Sequence, residues 1–338
     1  MIPEVAVVMP FRDAEPFLEE ALASLRSQTM PRWVALCVDD GSQDEGPARV
    51  AASAARDPRF RLVQAGRIGL PAALNVGMRA ARAVGARFIA RFDSDDVCRP
   101  RRFEAQVDLL EARPDVDVVD SVWDPIGEES PGRWDMAYRA WHASITTHED
   151  VVRELLVESP VCHPAVMFRA SSLPAAPVYA DDGMPEDYAA WLRLVRGGLR
   201  FHKLSEALLG WRRHPGRTTH HHPRYSSSAF FAAKRAHAEA TVLASRPRIA
   251  VWGGGKTGRP WIRALVDGGH DLDCVIDVDP RMVGRTRRGV PVVAPDDLAA
   301  RGPEVVFLAV GVPGARAVIE PRIEALGMRS VAVTGVFG

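Results

Sequence analysis

The chain has 338 residues, with 43 Lys+Arg balanced by 43 Asp+Glu, 47% hydrophobic residues and 25% charged residues. At roughly 150 residues per domain this length suggests two domains. The composition excludes a disordered chain, which needs low hydrophobicity and high net charge, and a general nucleic-acid binder, which carries a basic excess. Only three basic residues are lysines (Lys203, Lys234, Lys256); with Ala, Gly and Pro abundant, this reads as a GC-rich coding sequence.

No charge-free apolar run of about 18 residues is present, so no transmembrane helix is expected. No basic-then-apolar leader precedes the strand-like Val5–Met9. Cys37, Cys98, Cys162 and Cys274 are scattered, with no C-x-x-C pair. The expectation is a reduced cytoplasmic protein whose membrane contact is at most peripheral, on the inner face.

In chain order, Val5–Met9 is a short apolar run, and residues 15–27 carry Phe17, Leu18, Leu22 and Leu25 at helical spacing. Trp33–Val38 is a second apolar run, stopped by Asp39-Asp40-Gly41-Ser42. A helix is predicted over 70–83 from Leu70, Leu74 and Met78. Ala86–Phe92 reads as a strand, stopped by Asp93-Ser94-Asp95-Asp96. This β-α-β-α-β order predicts a mainly parallel sheet, with both acidic clusters at the carboxyl ends of strands, where such sheets bind ligands. Residues 115–185 are proline-rich and read as irregular. Pro185 opens a helix to about Arg196, closed by Gly197-Gly198. An alanine-rich helix, 226–245, reads as the link out of a first domain (1–245).

Each motif has a plain and a chemical reading. Asp93 and Asp95, one residue apart on a turn, suit a hard cation, Mn²⁺ or Mg²⁺, or else form a solvated loop. Asp39 and Asp40 suit a nucleobase N–H or ribose hydroxyls, or else a plain Asp-Gly turn. Glu186 and Asp187 in the first turn of a helix compensate its dipole, or supply a general base. His214, in Trp211-Arg-Arg-His214-Pro215, is structural or a metal ligand. His220-His221-His222 reads as a solvated loop, since no further ligand sits at zinc spacing.

Together these motifs resemble the glycosyltransferase family 2 proteins of GT-A fold, over most of residues 4–220. Val7-Val8-Met9-Pro10-Phe11 with Ser27-Gln28-Thr29, Val38-Asp-Asp-Gly-Ser42, Gly69-Leu70 through Asn75-Val-Gly77, Ala90-Arg-Phe-Asp-Ser-Asp-Asp96, Arg102-Phe-Glu-Ala-Gln106, His163-Pro164, Glu186-Asp187-Tyr188 with Trp191, and Trp211 to Pro215 carry the likeness. The resemblance implies a nucleoside-diphosphate sugar donor held near Pro10, Asp39, Asp40, Asn75 and Asp93. It implies a divalent metal on Asp93 and Asp95 with His214 as third ligand, and Asp187, next to Glu186, as catalytic base. A saccharide or lipid-linked acceptor in cell-surface polysaccharide or glycolipid synthesis, and an inverting single displacement, follow from the same likeness. Asp13, Arg67 and Trp211 depart from the family's usual asparagine, asparagine and tyrosine. An NAD(P)-linked oxidoreductase and a non-catalytic sugar-nucleotide sensor are the alternatives.

Near Arg246 the pattern restarts as a second α/β domain, 246–338. Gly253, Gly255 and Gly258 spell G-x-G-x-x-G between a predicted strand and helix, with Asp277 after the next strand. This is a dinucleotide-binding layout and resembles small Rossmann-like modules attached to sugar-modifying acyltransferases. A bound nucleotide, an NAD(P), or a purely structural role are all compatible with it. Lys256-Thr257 lacks P-loop spacing.

Overall fold

The computed structural model describes residues 2–127, 132–312 and 314–334. They form two compact units, one from residues up to Val151 plus Pro160–Phe230, the other from Val152–Ser159 plus the chain after Phe230.

The first unit is built on an eight-stranded sheet. Its strands are β1 (Val5–Phe11), β2 (Trp33–Asp39), β3 (Phe60–Gln64), β4 (Phe88–Arg91), β5 (Val97–Cys98), β6 (Val118–Ile126), β7 (Met167–Arg169) and β8 (Phe201–Arg212), in the order β3-β2-β1-β4-β7-β6-β8-β5. Helices α1 (Glu15–Arg26), α2 (Gly46–Arg56), α3 (Leu70–Ala83), α4 (Arg102–Ala112), α5 (Arg133–Ser144), α6 (His148–Glu154), α7 (Glu186–Arg196), α8 (Thr218–His221) and α9 (Ser227–Ala240) follow in chain order, the sixth and the last running across the division between the units.

The first four strands are parallel, as expected from the β-α-β-α-β pattern. Beyond them the sheet is mixed: β7 runs antiparallel to β4 and β6, β5 antiparallel to β8, and β8 parallel to β6. Residues 115–185, expected to be irregular, contain β6, α5 and β7. The strand pattern of β6 is masked because Asp120 and Ser121 interrupt its buried apolar run of Val118, Val119, Val122 and Trp123.

Helix α3 shows how local sequence sets this packing. Gly69 precedes it with φ +86°, a conformation open to glycine, and Pro71 sits in its first turn. Ala73, Leu74, Gly77, Met78 and Ala81 form its buried stripe. A Cβ at Gly77 would lie 2.4 Å from Val8 Cγ1, so glycine lets the helix lie directly on β1.

Asp120 is tolerated in the core because it is paired. Its Oδ2 accepts from His142 Nε2 at 2.9 Å and from the Cys162 N–H at 3.1 Å, and faces Lys203 Nζ at 3.4 Å. Lys203 also donates to the carbonyls of His142 (2.6 Å) and Pro160 (2.9 Å). Burial and the nearby Lys203 push His142 down to about 4, leaving the ring neutral at pH 7. Burial opposes the Asp120 charge, but Lys203 and His142 outweigh it and hold this carboxyl below its usual range.

The second unit carries β9 (Ile249–Trp252), β10 (Leu272–Ile276), β11 (Thr286–Arg287), β12 (Val290–Val293), β13 (Val305–Leu308) and β14 (Arg329–Ala332), in the order β11-β12-β10-β9-β13-β14. Only the short β11 is antiparallel to its neighbour. Helices α10 (Gly258–Asp267), α11 (Leu298–Arg301) and α12 (Ala315–Ala325) complete it. One face buries Trp261, Ile262, Val275 and Phe307; the other buries Ala250, Ile276, Leu308 and Ile323. The division falls after Phe230 rather than near Arg246, because Phe231, Ala238, Val242 and Leu243 pack into the core around Trp261. Among the described residues no helix is long and apolar enough to cross a membrane.

Replacing Lys203 with methionine removes the cation facing Asp120, and with it one of the influences that hold His142 neutral. Stranding one partner of a buried pair costs about 3–5 kcal/mol. Lys203→Met is therefore expected to lower the urea midpoint by that equivalent, whereas an unchanged midpoint would show that the pair contributes nothing.

Candidate active site

Strands β1, β2 and β4 are parallel, so the turns that follow them open on one edge of the sheet. Strand β8 ends on the same edge, because it is parallel to β6, which reverses twice relative to β4 through β7. Topology alone thus brings the turns after residues 39, 91 and 212 together.

The turn after β2 is tightly organised. Asp39 Oδ1 accepts from the Ser42 N–H at 2.9 Å. Asp40 is 5% exposed; its Oδ1 accepts from the N–H groups of Ile68 and Gly69, both at 2.8 Å, and its Oδ2 from Arg12 at 3.3 Å. Asp40 therefore caps the approach to α3. Gly41 (φ +76°) makes this possible, since a Cβ there would sit 2.9 Å from the backbone nitrogen of Arg67. Pro10 is buried in β1, paired with Val38. Asn75 uses both ends of its amide on the Tyr179 backbone, donating to its carbonyl (2.6 Å) and accepting from its N–H (3.2 Å).

The turn after β4 gathers three carboxylates. Asp93, Asp95 and Asp96 present oxygen atoms within 4.8 Å of one another. His214 Nε2 lies 2.9 Å from Asp95 Oδ2, and its ring is 4.6 Å from that of Phe17. Two arginines hold the turn from behind. Arg91, 3% exposed, donates to Asp93 Oδ1 at 2.6 Å. Arg212 donates its backbone N–H to Asp96 Oδ1 (2.8 Å) and Nε to the Asp95 carbonyl (2.6 Å). Arg102, fully buried, fixes the end of β4 by donating to the Arg91 carbonyl at 2.7 Å.

Asp96 is the ligand candidate that reading by sequence alternation missed. It is 1% exposed, and its Oδ2 has no hydrogen-bond partner. Burial, then Asp95 and Asp93, push its carboxyl well up. Burial also raises Asp93, with Arg91 pulling it back down. A hard divalent cation fits this donor set: three oxygen ligands converge, one has an orphaned buried oxygen, and a histidine adjoins. The signal in sequence was the fourth residue of the Asp93–Asp96 run, whose burial no spacing rule reveals.

The acid pair opens α7, with Pro185 before it and Gly197 after it, as expected. Burial, and next the charge of Glu186, push Asp187 up to about 7, while its Oδ1 accepts from the Tyr188 N–H at 2.6 Å. Glu186 is 2% exposed, and both its oxygens lie 2.8 Å from the Tyr225 hydroxyl. Arg91 acts electrostatically on Asp93, Glu186 and Asp187, so a single buried guanidinium couples the acid pair to the carboxylate turn. Tyr179, bonded to His163 at 2.9 Å, belongs to the same buried group. Arg91 lay within the Ala90–Asp96 motif without an assigned role, and Tyr179 and Tyr225 carried no sequence signal beyond their type.

In the second unit, Gly253 has φ +109°, and a Cβ on Gly258 would sit 1.8 Å from the Gly253 carbonyl oxygen. Asp277 accepts from the N–H groups of Gly254 (3.1 Å) and Asp279 (3.0 Å), so its carboxylate is committed to the turn.

A mixed sheet with acidic turns on one edge, an acid pair with one member buried and a histidine beside the carboxylates is the architecture of a GT-A glycosyltransferase. The fold is similar to that of S. aureus TarS 1–349, solved in complex with UDP-GlcNAc, with TM-score 0.53 and 18% identity over 70% of this chain; the chain spans 65% of that solved chain. The family model for glycosyl transferase family 2 matches residues 6–174, half of the chain, and the chain belongs to that family. EpsE of Bacillus subtilis (strain 168), named as a glycosyltransferase, is 30% identical over 214 residues, covering 61% of this chain and 72% of its own. A UDP-Gal:alpha-D-GlcNAc-diphosphoundecaprenol beta-1,3-galactosyltransferase of Escherichia coli is 27% identical over 213 residues, covering 62% and 74%. The protein is a glycosyltransferase.

The fold favours neutral Asp187, because its carboxyl is raised above that of an unfolded aspartate. That stabilisation is full below the unfolded pKa of about 4 and is lost as pH rises through 7. Asp187→Asn should therefore raise the thermal midpoint at pH 8 relative to the parent, with the gap narrowing as pH falls and closing below about pH 4. A gap that widens toward acid would contradict the raised pKa.

Proposed function

We propose that the first unit is a metal-dependent, inverting glycosyltransferase that moves a sugar from a nucleoside-diphosphate donor to a hydroxyl of a saccharide or lipid-linked acceptor. The reading rests above all on the electrostatic coupling, through buried Arg91, of Asp187 to the cation-competent turn at Asp93–Asp96. The names of its relatives support a place in cell-surface polysaccharide or glycolipid synthesis. One of those relatives takes UDP-Gal and a diphosphoundecaprenol-linked acceptor by name.

Asp93, Asp95 and Asp96, with His214 beside them, would hold a Mn²⁺ or Mg²⁺ ion, which supplies Lewis-acid stabilisation to the charge of a departing nucleoside diphosphate. The turn formed by Asp39, Asp40 and the start of α3 lines the same edge, which supports a role for it in holding the nucleoside. An acceptor hydroxyl is a weak nucleophile at neutral pH, so Asp187 takes its proton as it attacks the anomeric carbon. A carboxyl raised to about 7 suits a general base, being basic enough to accept the proton and still substantially ionised at pH 7. Attack from the face opposite the leaving group inverts the anomeric configuration. The second unit is read as a nucleotide-binding or structural module, its Asp277 bracing the turn through the Gly254 and Asp279 N–H groups while keeping acceptor capacity.

Two measurements test this reading. Asp187→Asn should lower turnover of a sugar nucleotide by about 10²–10⁴-fold, the usual worth of a general base, while nucleoside-diphosphate binding stays intact; full turnover in the variant would remove Asp187 from the role. In a thermal-shift panel of UDP, GDP and dTDP, one diphosphate should stabilise the protein only with Mn²⁺ present, and Asp95→Ala should abolish that metal-dependent stabilisation. Equal stabilisation with and without metal would defeat the cation assignment, and stabilisation by NAD(H) alone would favour the oxidoreductase.

A further inference from the structure

The two acidic residues at the start of α7 have different surroundings. Asp187 is partly exposed. Glu186 is buried and faces a short turn, Pro223–Tyr225, that lies beyond His214 in the chain. The Tyr225 hydroxyl donates to the Glu186 carboxylate, with both oxygens at 2.8 Å. Arg224 reaches the same carboxylate through Nη1 at 3.4 Å and Asp181 through Nη2 at 2.6 Å. The arginine side chain is only 10% exposed.

The turn is itself braced. His222 Nδ1 accepts from the Arg224 N–H at 3.3 Å, and the Tyr225 N–H donates to the His222 carbonyl at 3.0 Å. Beyond it, the Phe230 ring lies 5.4 Å from the Tyr188 ring, so the first turn of α7 is gripped on both sides of Asp187.

A buried carboxylate is stable only when paired and hydrogen-bonded, and Glu186 finds these partners on the 223–225 turn. Successive side chains on a helix diverge by about 100°. Fixing Glu186 against the turn therefore fixes the rotation of the first helical turn and, with it, the direction of Asp187. General-base catalysis depends on that direction, since a misplacement of about 1 Å can cost about 10²-fold in rate.

We propose that Tyr225 and Arg224 are positioning residues for sugar transfer: they clamp Glu186, and Glu186 sets the direction of Asp187. Glu186 is then the anchor of the acid pair and Asp187 its base. This rests on the assignment of Asp187 as base.

The experiment is a double-mutant cycle on Tyr225→Phe and Asp187→Asn in the full chain. It is read as hydrolysis of whichever UDP-, GDP- or dTDP-hexose the parent turns over fastest with Mn²⁺, alongside Mn²⁺-dependent binding of the matching nucleoside diphosphate. Tyr225→Phe should lower kcat by about 10- to 100-fold and leave diphosphate binding within about twofold of the parent. The double variant should be no slower than Asp187→Asn alone, because residues acting through one group are non-additive. Arg224→Lys keeps the charge but cannot bridge Glu186 and Asp181 in the same fork geometry; it should fall between parent and Tyr225→Phe, and it carries the test if Tyr225→Phe unfolds. Independent, multiplicative losses in the double variant, or parental kcat in a folded Tyr225→Phe or Arg224→Lys, would overturn the clamp while leaving the base in place. Full turnover by Asp187→Asn would instead remove the base, and the clamp with it.

Discussion

Three carboxylates held within 4.8 Å of one another repel, and the arrangement of the first unit follows from keeping them there. Arg91 supplies one counter-charge from inside the sheet, and the Arg212 backbone and side chain supply a second brace from the end of β8. These braces lie about 120 residues apart in the chain. They meet only because two antiparallel pairings, β4 with β7 and β7 with β6, return β8 to the orientation of β4. The bracing is incomplete: Asp96 keeps a buried oxygen without a partner. A site left short of positive charge in this way is organised to receive a cation.

The same reasoning extends to the acid pair. Burial near another carboxylate raises Asp187, as burial and like charge raise Asp96. Arg91 couples both groups, so the charge state of one site is felt at the other through a single guanidinium. By contrast, the Asp120–Lys203 pair is closed: every charge there has a partner, His142 is held neutral, and nothing is left to react. The first unit therefore contains two kinds of buried charge. One kind is balanced and holds β6 to β8, and the other is left unbalanced at the edge where ligand arrives.

Much of this was legible in the sequence, for identifiable reasons. Strands β1 and β2 are apolar runs, and β2 and β4 lead directly into aspartate clusters, so both the elements and the site edge were visible. Helix α7 announced itself through Pro185 and Gly197. Strand β6 was hidden because Asp120 and Ser121 break its pattern, and the partners that bury them, His142 and Lys203, are 22 and 83 residues away. Asp96 was passed over because alternation singles out Asp93 and Asp95, whereas its burial depends on β8. The grip of Tyr225 on Glu186 spans 39 residues with no periodic signal. What escaped the sequence in each case was a long-range pairing between polar side chains, which leaves no local mark.

The glycine signature of the second unit shows how a motif can mix two demands. Gly258 is required by the chain itself, since a side chain there would strike the Gly253 carbonyl. Gly253 is required as well: its φ is positive, and a Cβ would lie 2.7 Å from the Ala309 carbonyl oxygen. These two positions would be glycine in an empty structural module as readily as in a nucleotide site. Gly255 is different, for a Cβ there meets nothing within 4 Å, and its packing gives no reason for glycine. In dinucleotide folds the middle glycine is the one that lets backbone approach a diphosphate. Of the three glycines, only the middle one therefore bears on whether this unit binds a ligand, and the first and last carry no weight in that argument.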